Sequence, residues 1–261
     1  MTGRVTRVAG LVAFLALASA PAGASEAGRA PVALVASPAH VEIAGSGRTT
    51  VRVTNSGTRR VVLDLRRAGF ALDLRGRPKI VESNAARRSA AGWLVFRPRS
   101  LMLRAGATAS VTIVSRVPAR AEPGDHDALV LFTTRRRAAD GLAVRVRMGV
   151  VVVVRAPGTI VRRVALESLR SAGAGRRRSL ELAVLNRGNV TESLARGRIT
   201  IALERGGRRL ARLGSQARSL RPGTRGVLRF PLGRRVVGPV LARVDLVTDT
   251  GHLRRVYRLR L

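Results

Sequence analysis

The sequence predicts an all-β protein of two β-sandwiches in tandem, and three observations carry that prediction. Apolar residues alternate with polar ones over short runs, turn residues separate those runs, and one set of separators occurs twice in the same order. Alternation is plain in Thr50-Val51-Arg52-Val53-Thr54, where the valines share one face. Val144, Val146, Met148, Val150, Val152 and Val154 extend it over a longer stretch, whose second half is apolar on both sides, as in a central strand. Val240, Ala242, Val244 and Leu246 alternate in turn with Leu241, Arg243 and Asp245. Between such runs stand Gly45-Ser46-Gly47, Asn55-Ser56-Gly57, Pro123-Gly124, Asp140-Gly141, Gly206-Gly207 and Pro222-Gly223. Short strands at this spacing, with hardly any helical periodicity, are those of an immunoglobulin-like sandwich.

The internal repeat gives the number of sandwiches. Val53-Thr54-Asn55-Ser56-Gly57 returns as Val184-Leu185-Asn186-Arg187-Gly188, and Leu103-Arg104-Ala105-Gly106 returns as Leu220-Arg221-Pro222-Gly223. Each half then closes with a strand that starts at a glycine, Gly124 to Thr134 and Gly238 to Thr248. Asn-x-Gly supplies residues that tolerate positive φ where strands turn, and the second glycine permits a tight turn before an inner strand. Arg155-Ala156-Pro157-Gly158 ends the valine strand and sets the boundary. The expected organisation is a signal peptide over 1–24, one sandwich over 31–156 and a second over 157–261.

The signal peptide rests on Arg4 and Arg7, the apolar run Val8 to Ala20, and the small residues Ala22-Gly23-Ala24. Cleavage is expected after Ala24, leaving Ser25 first. No later stretch approaches the roughly 20 apolar residues of a spanning helix, so the mature chain is expected to be secreted or envelope-associated with no transmembrane segment. Cysteine is absent, so no disulfide supports the fold. The 46% hydrophobic content suffices for two cores, and the 3% aromatic content means that valine, leucine, isoleucine and alanine must fill them.

Charge bears on partners. The chain carries 49 basic and 15 acidic residues, a formal +34, and Lys79 is its only lysine. Losing Arg4 and Arg7 with the signal peptide leaves +32. GC-rich coding favours arginine over lysine but does not explain so few acids, so a field that attracts polyanions remains. The candidate polyanion-binding residues are Arg135, Arg136 and Arg137 in one loop and Arg176, Arg177 and Arg178 in another. Arg208-Arg209 and Arg234-Arg235 stand in comparable connections. Nucleic acid is a poor fit, because export removes the encounter and aromatic stacking platforms are few. The expected partner is therefore a cell-wall or envelope polymer (peptidoglycan or an anionic glycopolymer), with surface proteins beside it.

Catalysis has no footing in these residues. There is no Gly-x-Ser-x-Gly, no His-Glu-x-x-His and no cysteine nucleophile. His40, His126 and His252 lie far apart in sequence, and Asp125-His126-Asp127 alternates faces on a strand, so it cannot direct three ligands to one metal. No catalytic residue, metal or cofactor is expected, and the cluster reads as the start of a strand. Gly173-Ala174-Gly175 before Arg176 lacks the frame of a phosphate loop and reads as a hairpin connection. Trp93, the sole tryptophan, reads as core filler.

The order Ser37-Pro38, Val51-x-Val53-x-Asn55-x-Gly57, Trp93 to Pro98, Leu103-x-x-Gly106, Pro123-Gly124-Asp125-His126 is similar to the N-terminal domain of the WxL-interacting proteins. That resemblance implies a peptidoglycan-binding immunoglobulin-like domain followed by a second such domain. It covers Pro31 to Gly158 and extends loosely beyond. A C-terminal membrane helix expected of that family is not found among the residues up to Leu261. The pair of sandwiches, the basic chain and the long valine strand also resemble the periplasmic pilus chaperones. That alternative implies an assembly factor that donates a strand, with an exposed edge expected beside Val150 to Val154.

Overall fold

The computed structural model describes residues 30–75, 78–81, 88–135, 145–233 and 236–261; the predicted signal peptide lies outside them. The chain is all-β and folds as two immunoglobulin-like sandwiches. The first contains β1 (Leu34–Ser37), β2 (His40–Ala44), β3 (Arg48–Asn55), β4 (Val61–Leu72), β5 (Pro78–Val81), β6 (Leu94–Arg97), β7 (Ser100–Leu103), β8 (Thr108–Ser115), β9 (Gly124–Thr134) and β10 (Arg147–Ala156). One of its sheets runs β1-β3-β8-β6, and the other runs β2-β10-β9-β4-β5, with β7 also paired to β4.

The alternation seen in the sequence fills this sandwich. Val51, Val53, Val111 and Ile113 face Leu63, Val130, Phe132, Val150, Val152 and Val154 across the core, all buried. Burying a side chain of this size contributes about 1.5–3 kcal/mol, so aliphatic residues alone can hold the layers together. Trp93 packs half-buried against this core, its ring 4.4 Å from that of His126.

The second sandwich contains β11 (Val164–Ala172), β12 (Ser179–Asn186), β13 (Glu192–Leu194), β14 (Ile199–Arg205), β15 (Arg208–Gly214), β16 (Arg218–Leu220), β17 (Arg225–Pro231), β18 (Pro239–Thr248) and β19 (Gly251–Arg260). Its sheets run β11-β12-β17 and β15-β14-β18-β19, with β13 and β16 paired at the side. Leu180, Leu182, Val184, Leu228 and Phe230 meet Ile199, Ile201, Leu203, Ala242, Val244 and Leu246 between them.

The repeated Asn-x-Gly has the same structural role in both halves. Asn55 and Asn186 are wholly buried. The Asn55 carboxamide donates to the carbonyls of Arg59, Leu103 and Arg104, and that of Asn186 donates to Val190 and Leu220. Each accepts a bond from the glycine two residues on, Gly57 or Gly188. Each main-chain carbonyl accepts from the later glycine, Gly106 or Gly223. The asparagine thus ties the end of one strand to the turn before another, satisfying carbonyls that burial would otherwise strand.

The glycines divide into two kinds. Gly106 and Gly223 hold φ of 72° and 66°, the left-handed turn expected of them. Gly57 and Gly188 are not left-handed, which departs from the expectation. They are glycine because a Cβ would stand 2.7 Å from the Ala33 nitrogen and 2.3 Å from the Val161 oxygen.

A candidate strand-docking edge

β10 is the valine strand of the sequence, and its two halves have different neighbours. All ten residues pair antiparallel with β9, from Arg147 opposite Thr133 to Ala156 opposite Gly124. On its other side β2 pairs with it in parallel, but only over Val151 to Arg155. The cause lies in the chain path. β1 pairs with β3 in one sheet, and the chain then crosses at Ser37-Pro38 so that β2 joins the other. The cover begins where the Val151 N–H donates to the Ala39 carbonyl, and it ends where the Arg155 carbonyl accepts from Gly45.

Those two bonds fix the direction of every main-chain group on β10. Odd-numbered residues point their N–H and C=O toward β2, and even-numbered residues point theirs toward β9. Bonds between Val146 and Thr134 agree, on the β9 side. Arg147 and Gly149 therefore aim their main-chain groups at an edge that no described strand covers. Gly149 is exposed and has no side chain to obstruct approach. Val146 and Met148, half-buried, carry the inward apolar series of Val150 and Val152 to the end of the sandwich. The edge expected beside Val150 to Val154 thus lies nearer the strand's start, since β2 occupies the later part.

The start of β9, opposite the covered half of β10, is locked to the second sandwich by Asp125 and Asp127 of the cluster Asp125-His126-Asp127. His126 points inward; its Nε2 lies 2.8 Å from the Glu122 carbonyl, and burial pushes its imidazole below the usual range. Asp125 (1% exposed) takes Arg155 Nε at 2.7 Å and the Thr191 N–H at 2.7 Å. Asp127 (2% exposed) pairs with Arg221 (8% exposed) from the second sandwich. Arg221 also donates to the Phe70 carbonyl at 2.9 Å and lies 4.1 Å above the Phe70 ring. Burial raises the Asp127 carboxyl above its usual range, against the opposing pull of Arg221. Gly124, at φ 105°, starts the strand because a Cβ there would stand 2.0 Å from the Asn189 carbonyl oxygen. The cluster read from sequence as a strand start is also the joint between the sandwiches.

The predicted polyanion residues lie elsewhere and are not gathered into one site. Arg135, at the end of β9, is held by Asp64, with its Nε at 2.9 Å and Nη2 at 2.8 Å from the carboxylate. That guanidinium keeps the Asp64 carboxyl below its ordinary range. Arg136 and Arg137 lie outside the described residues. Arg176 and Arg177 sit in the short 3-10 turn Gly175–Arg177 between β11 and β12, followed by Arg178; Arg177 is exposed and Arg178 half-buried. These two runs belong to different sandwiches. Among the described residues no group of three His, Asp or Glu side chains is placed to hold a metal. A cleft of about 360 Å³ between β4 and β6 is lined by Arg66, Arg67 and Arg99 with Leu65, Leu94, Val95 and Phe96. Among the described residues no helix is long and apolar enough to cross a membrane.

No family model and no curated protein matches the chain. Solved structures similar to it include the class 5 fimbrial chaperone CfaA, with 12% identity over 88% of this chain and 100% of that one and a TM-score of 0.49. Others are a SafB chaperone with SafA pilin from Salmonella enterica (13%, 88% and 96%, 0.45) and the CsuC–CsuE chaperone–tip adhesin complex from Acinetobacter baumannii (11%, 87% and 97%, 0.44). These neighbours are chaperones of fimbriae and pili. They correct the expected membership of the WxL-interacting family, and with it the peptidoglycan-binding function and the wall-polymer partner. The physical reason is visible in the motifs. Ser37-Pro38 marks a sheet crossing, Asn55 and Gly57 a buried tie, and Leu103 to Gly106 a turn; all of them specify a sandwich and none a ligand. At such identities the likeness concerns the fold, and what the edge can bind follows from its own geometry.

Proposed function

We propose that this protein is a non-catalytic assembly chaperone of the cell envelope, which lends the open edge of β10 to an incomplete secreted subunit. The observation that carries the reading is the half-covered strand: Arg147 and Gly149 offer unpaired main-chain groups while the rest of β10 is fixed on both sides. An extended segment laid along that edge would complete the ladder, with main-chain bonds giving affinity and alternate side chains giving selectivity. An unprotected edge is an aggregation hazard in a protein with no use for it. Directly behind the edge, Leu131 to Thr133 of β9 are paired with Asp64 to Arg66 of β4, so little ordering remains to be done on binding. In the solved complexes the partner is a pilin or a tip adhesin; for this chain the partner proposed is likewise a subunit that lacks a strand. Export and residence in the envelope belong to the same proposal, and mass spectrometry finding an intact Met1 on cytosolic protein would overturn that part.

Gly149→Pro tests the edge directly. Its N–H faces outward, so proline removes a donor from the open side and none from the ladder with β9. The variant should fold with its unfolding midpoint little changed, yet fail to hold a strand-deficient subunit in co-purification from the envelope. A variant that folds and holds the subunit as the parent does would sink the reading. Val153→Pro is the counterpart: its N–H faces β2, so this variant should lose stability through the lost bond.

A further inference from the structure

The second sandwich turns a broad sheet face to solvent that has no part in the β10 edge. It is the outer face of the sheet β15-β14-β18-β19. Ile199, Ile201, Leu203, Ala242, Val244 and Leu246 point into the core, and alternation fixes their neighbours as outward. Register arranges those neighbours in rows across the strands. One row is Arg212, Ala202, Arg243, Val256; the next is Arg209, Glu204, Leu241, Arg258; a third is Gly214, Thr200, Asp245, Arg254. Every arginine in these rows is exposed, as are Leu241 (42%) and Val256 (51%).

The two acids in the rows are already engaged. Glu204 is 3.0 Å from Arg243, whose guanidinium holds the carboxyl below its usual range, and Asp245 is 2.9 Å from Arg254. The other acids of this sandwich are committed as well: Glu167 to Arg225, Glu181 to Arg170 and Arg229, Glu192 to Arg162, and Asp249 to Arg198. Arg212 and Arg258 are thus left without an acidic partner among the described residues, while Arg209 acts on Glu204 only at longer range, that carboxylate being bonded to Arg243. The three are spread over a broad face with two exposed aliphatic side chains among them.

We infer that this face docks on an anionic lipid surface. Guanidinium groups meet phosphate oxygens bidentately, and Leu241 and Val256 project where an interfacial residue would sit between headgroups. A sheet face whose basic and aliphatic side chains spread over four strands matches a bilayer, whereas a single strand of nucleic acid is tracked by a groove with stacking rings. These rows hold no aromatic residue.

Flotation of the full-length mature chain with phosphatidylcholine vesicles, with and without phosphatidylglycerol, tests the inference. Binding should require phosphatidylglycerol and weaken steeply between about 0.1 M and 1 M salt, as the Debye length falls from about 10 Å to about 3 Å. The triple variant R209Q/R212Q/R258Q should bind roughly a hundredfold more weakly, about fivefold for each guanidinium removed. A triple of equal charge change on the first sandwich, R59Q/R60Q/R97Q, should stay within about threefold of the parent, because only charges close to the surface contribute fully. Leu241→Ser should weaken binding by a few-fold without changing its salt dependence. All these positions are exposed, so an unchanged unfolding midpoint should accompany each variant. Absence of binding to phosphatidylglycerol vesicles overturns the inference. So does equal loss in both triples, which would make net charge the sole cause. Soluble polyphosphate bound as tightly as vesicles, and lost in the same triple, would replace the lipid surface with a polyanion site.

Discussion

β10 and β19 are counterparts, the last strand of each sandwich, each ten residues long and each paired antiparallel to the strand before it. Their edges are treated in opposite ways. β10 reads Arg-Met-Gly-Val-Val-Val-Val-Val-Arg-Ala; β2 covers its later half, and its earlier half is open. β19 reads Gly-His-Leu-Arg-Arg-Val-Tyr-Arg-Leu-Arg; among the described residues no strand pairs with its far side, and Arg254, Arg255, Arg258 and Arg260 stand along it. Charged side chains are a common device against edge-to-edge pairing. One fold, repeated, thus carries one edge closed by charge and one left accessible beside glycine. The contrast fits the strand docking proposed for the first sandwich and the electrostatic contact proposed for the second.

A second pair sharpens the comparison and gives the largest expected effect. Arg104 and Arg221 occupy the same place in the repeated Leu-Arg-x-Gly, yet Arg104 is exposed while Arg221 is buried against Asp127. Arg221→Met should cost about 3–5 kcal/mol, because it leaves a buried carboxylate without its cation. Arg104→Met should stay within about 0.5 kcal/mol, as surface changes do. Urea unfolding measures both. The double variant R221M/D127L should recover most of the loss, since replacing both partners of a buried pair with apolar groups is often near neutral. Equal effects at 104 and 221 would mean that the joint adds nothing to stability.

The buried asparagines come next, and here the halves should agree. Asn55→Ala and Asn186→Ala should each cost about 2–4 kcal/mol, because each strands more than one buried carbonyl at about 1–3 kcal/mol apiece. Asn→Asp at either site should be no milder, since a carboxylate cannot donate to those carbonyls. A large effect in one sandwich with none in the other would deny that the repeat is structural.

These results show which parts of the molecule were legible in the sequence. The alternation of Val51 with Val53, and of Val240 through Leu246, gave the strands and their buried faces, because burial acts on single side chains at a fixed period. The two Asn-x-Gly signals disclosed the repeat, but positive φ was the wrong reason for Gly57 and Gly188; close approach of distant main chain is invisible in a local pattern. The edge on β10 was sensed in the valine strand yet placed too late, because its cover comes from β2, more than a hundred residues earlier. The Asp127–Arg221 joint joins positions 94 apart in sequence and left no local trace. The family resemblance failed for the complementary reason: its motifs were turn and tie residues, which many sandwiches need whatever they bind.

The smallest expected effect is a pH dependence of opposite sign in the joint and on the surface. Asp64, Glu167 and Glu204 have carboxyls held low by Arg135, Arg225 and Arg243. Their contribution is present above the unfolded carboxyl range and is lost as pH falls through the lower folded values, so acid weakens these pairs. Asp127 behaves in reverse. Burial raises its folded value above 3.8, so between 3.8 and that higher value the folded state holds more protons than the unfolded chain. Acid therefore adds stability at this one carboxyl, and the gain fades as pH rises through the folded value. Asp127→Asn removes that response and leaves the surface pairs as they were. The stability of the parent relative to this variant, read from urea midpoints, should then grow as pH drops from about 7 to about 4, even while both proteins lose stability overall. A difference that stays constant, or shrinks, would show that Asp127 keeps its charge throughout and that Arg221 outweighs burial at the joint.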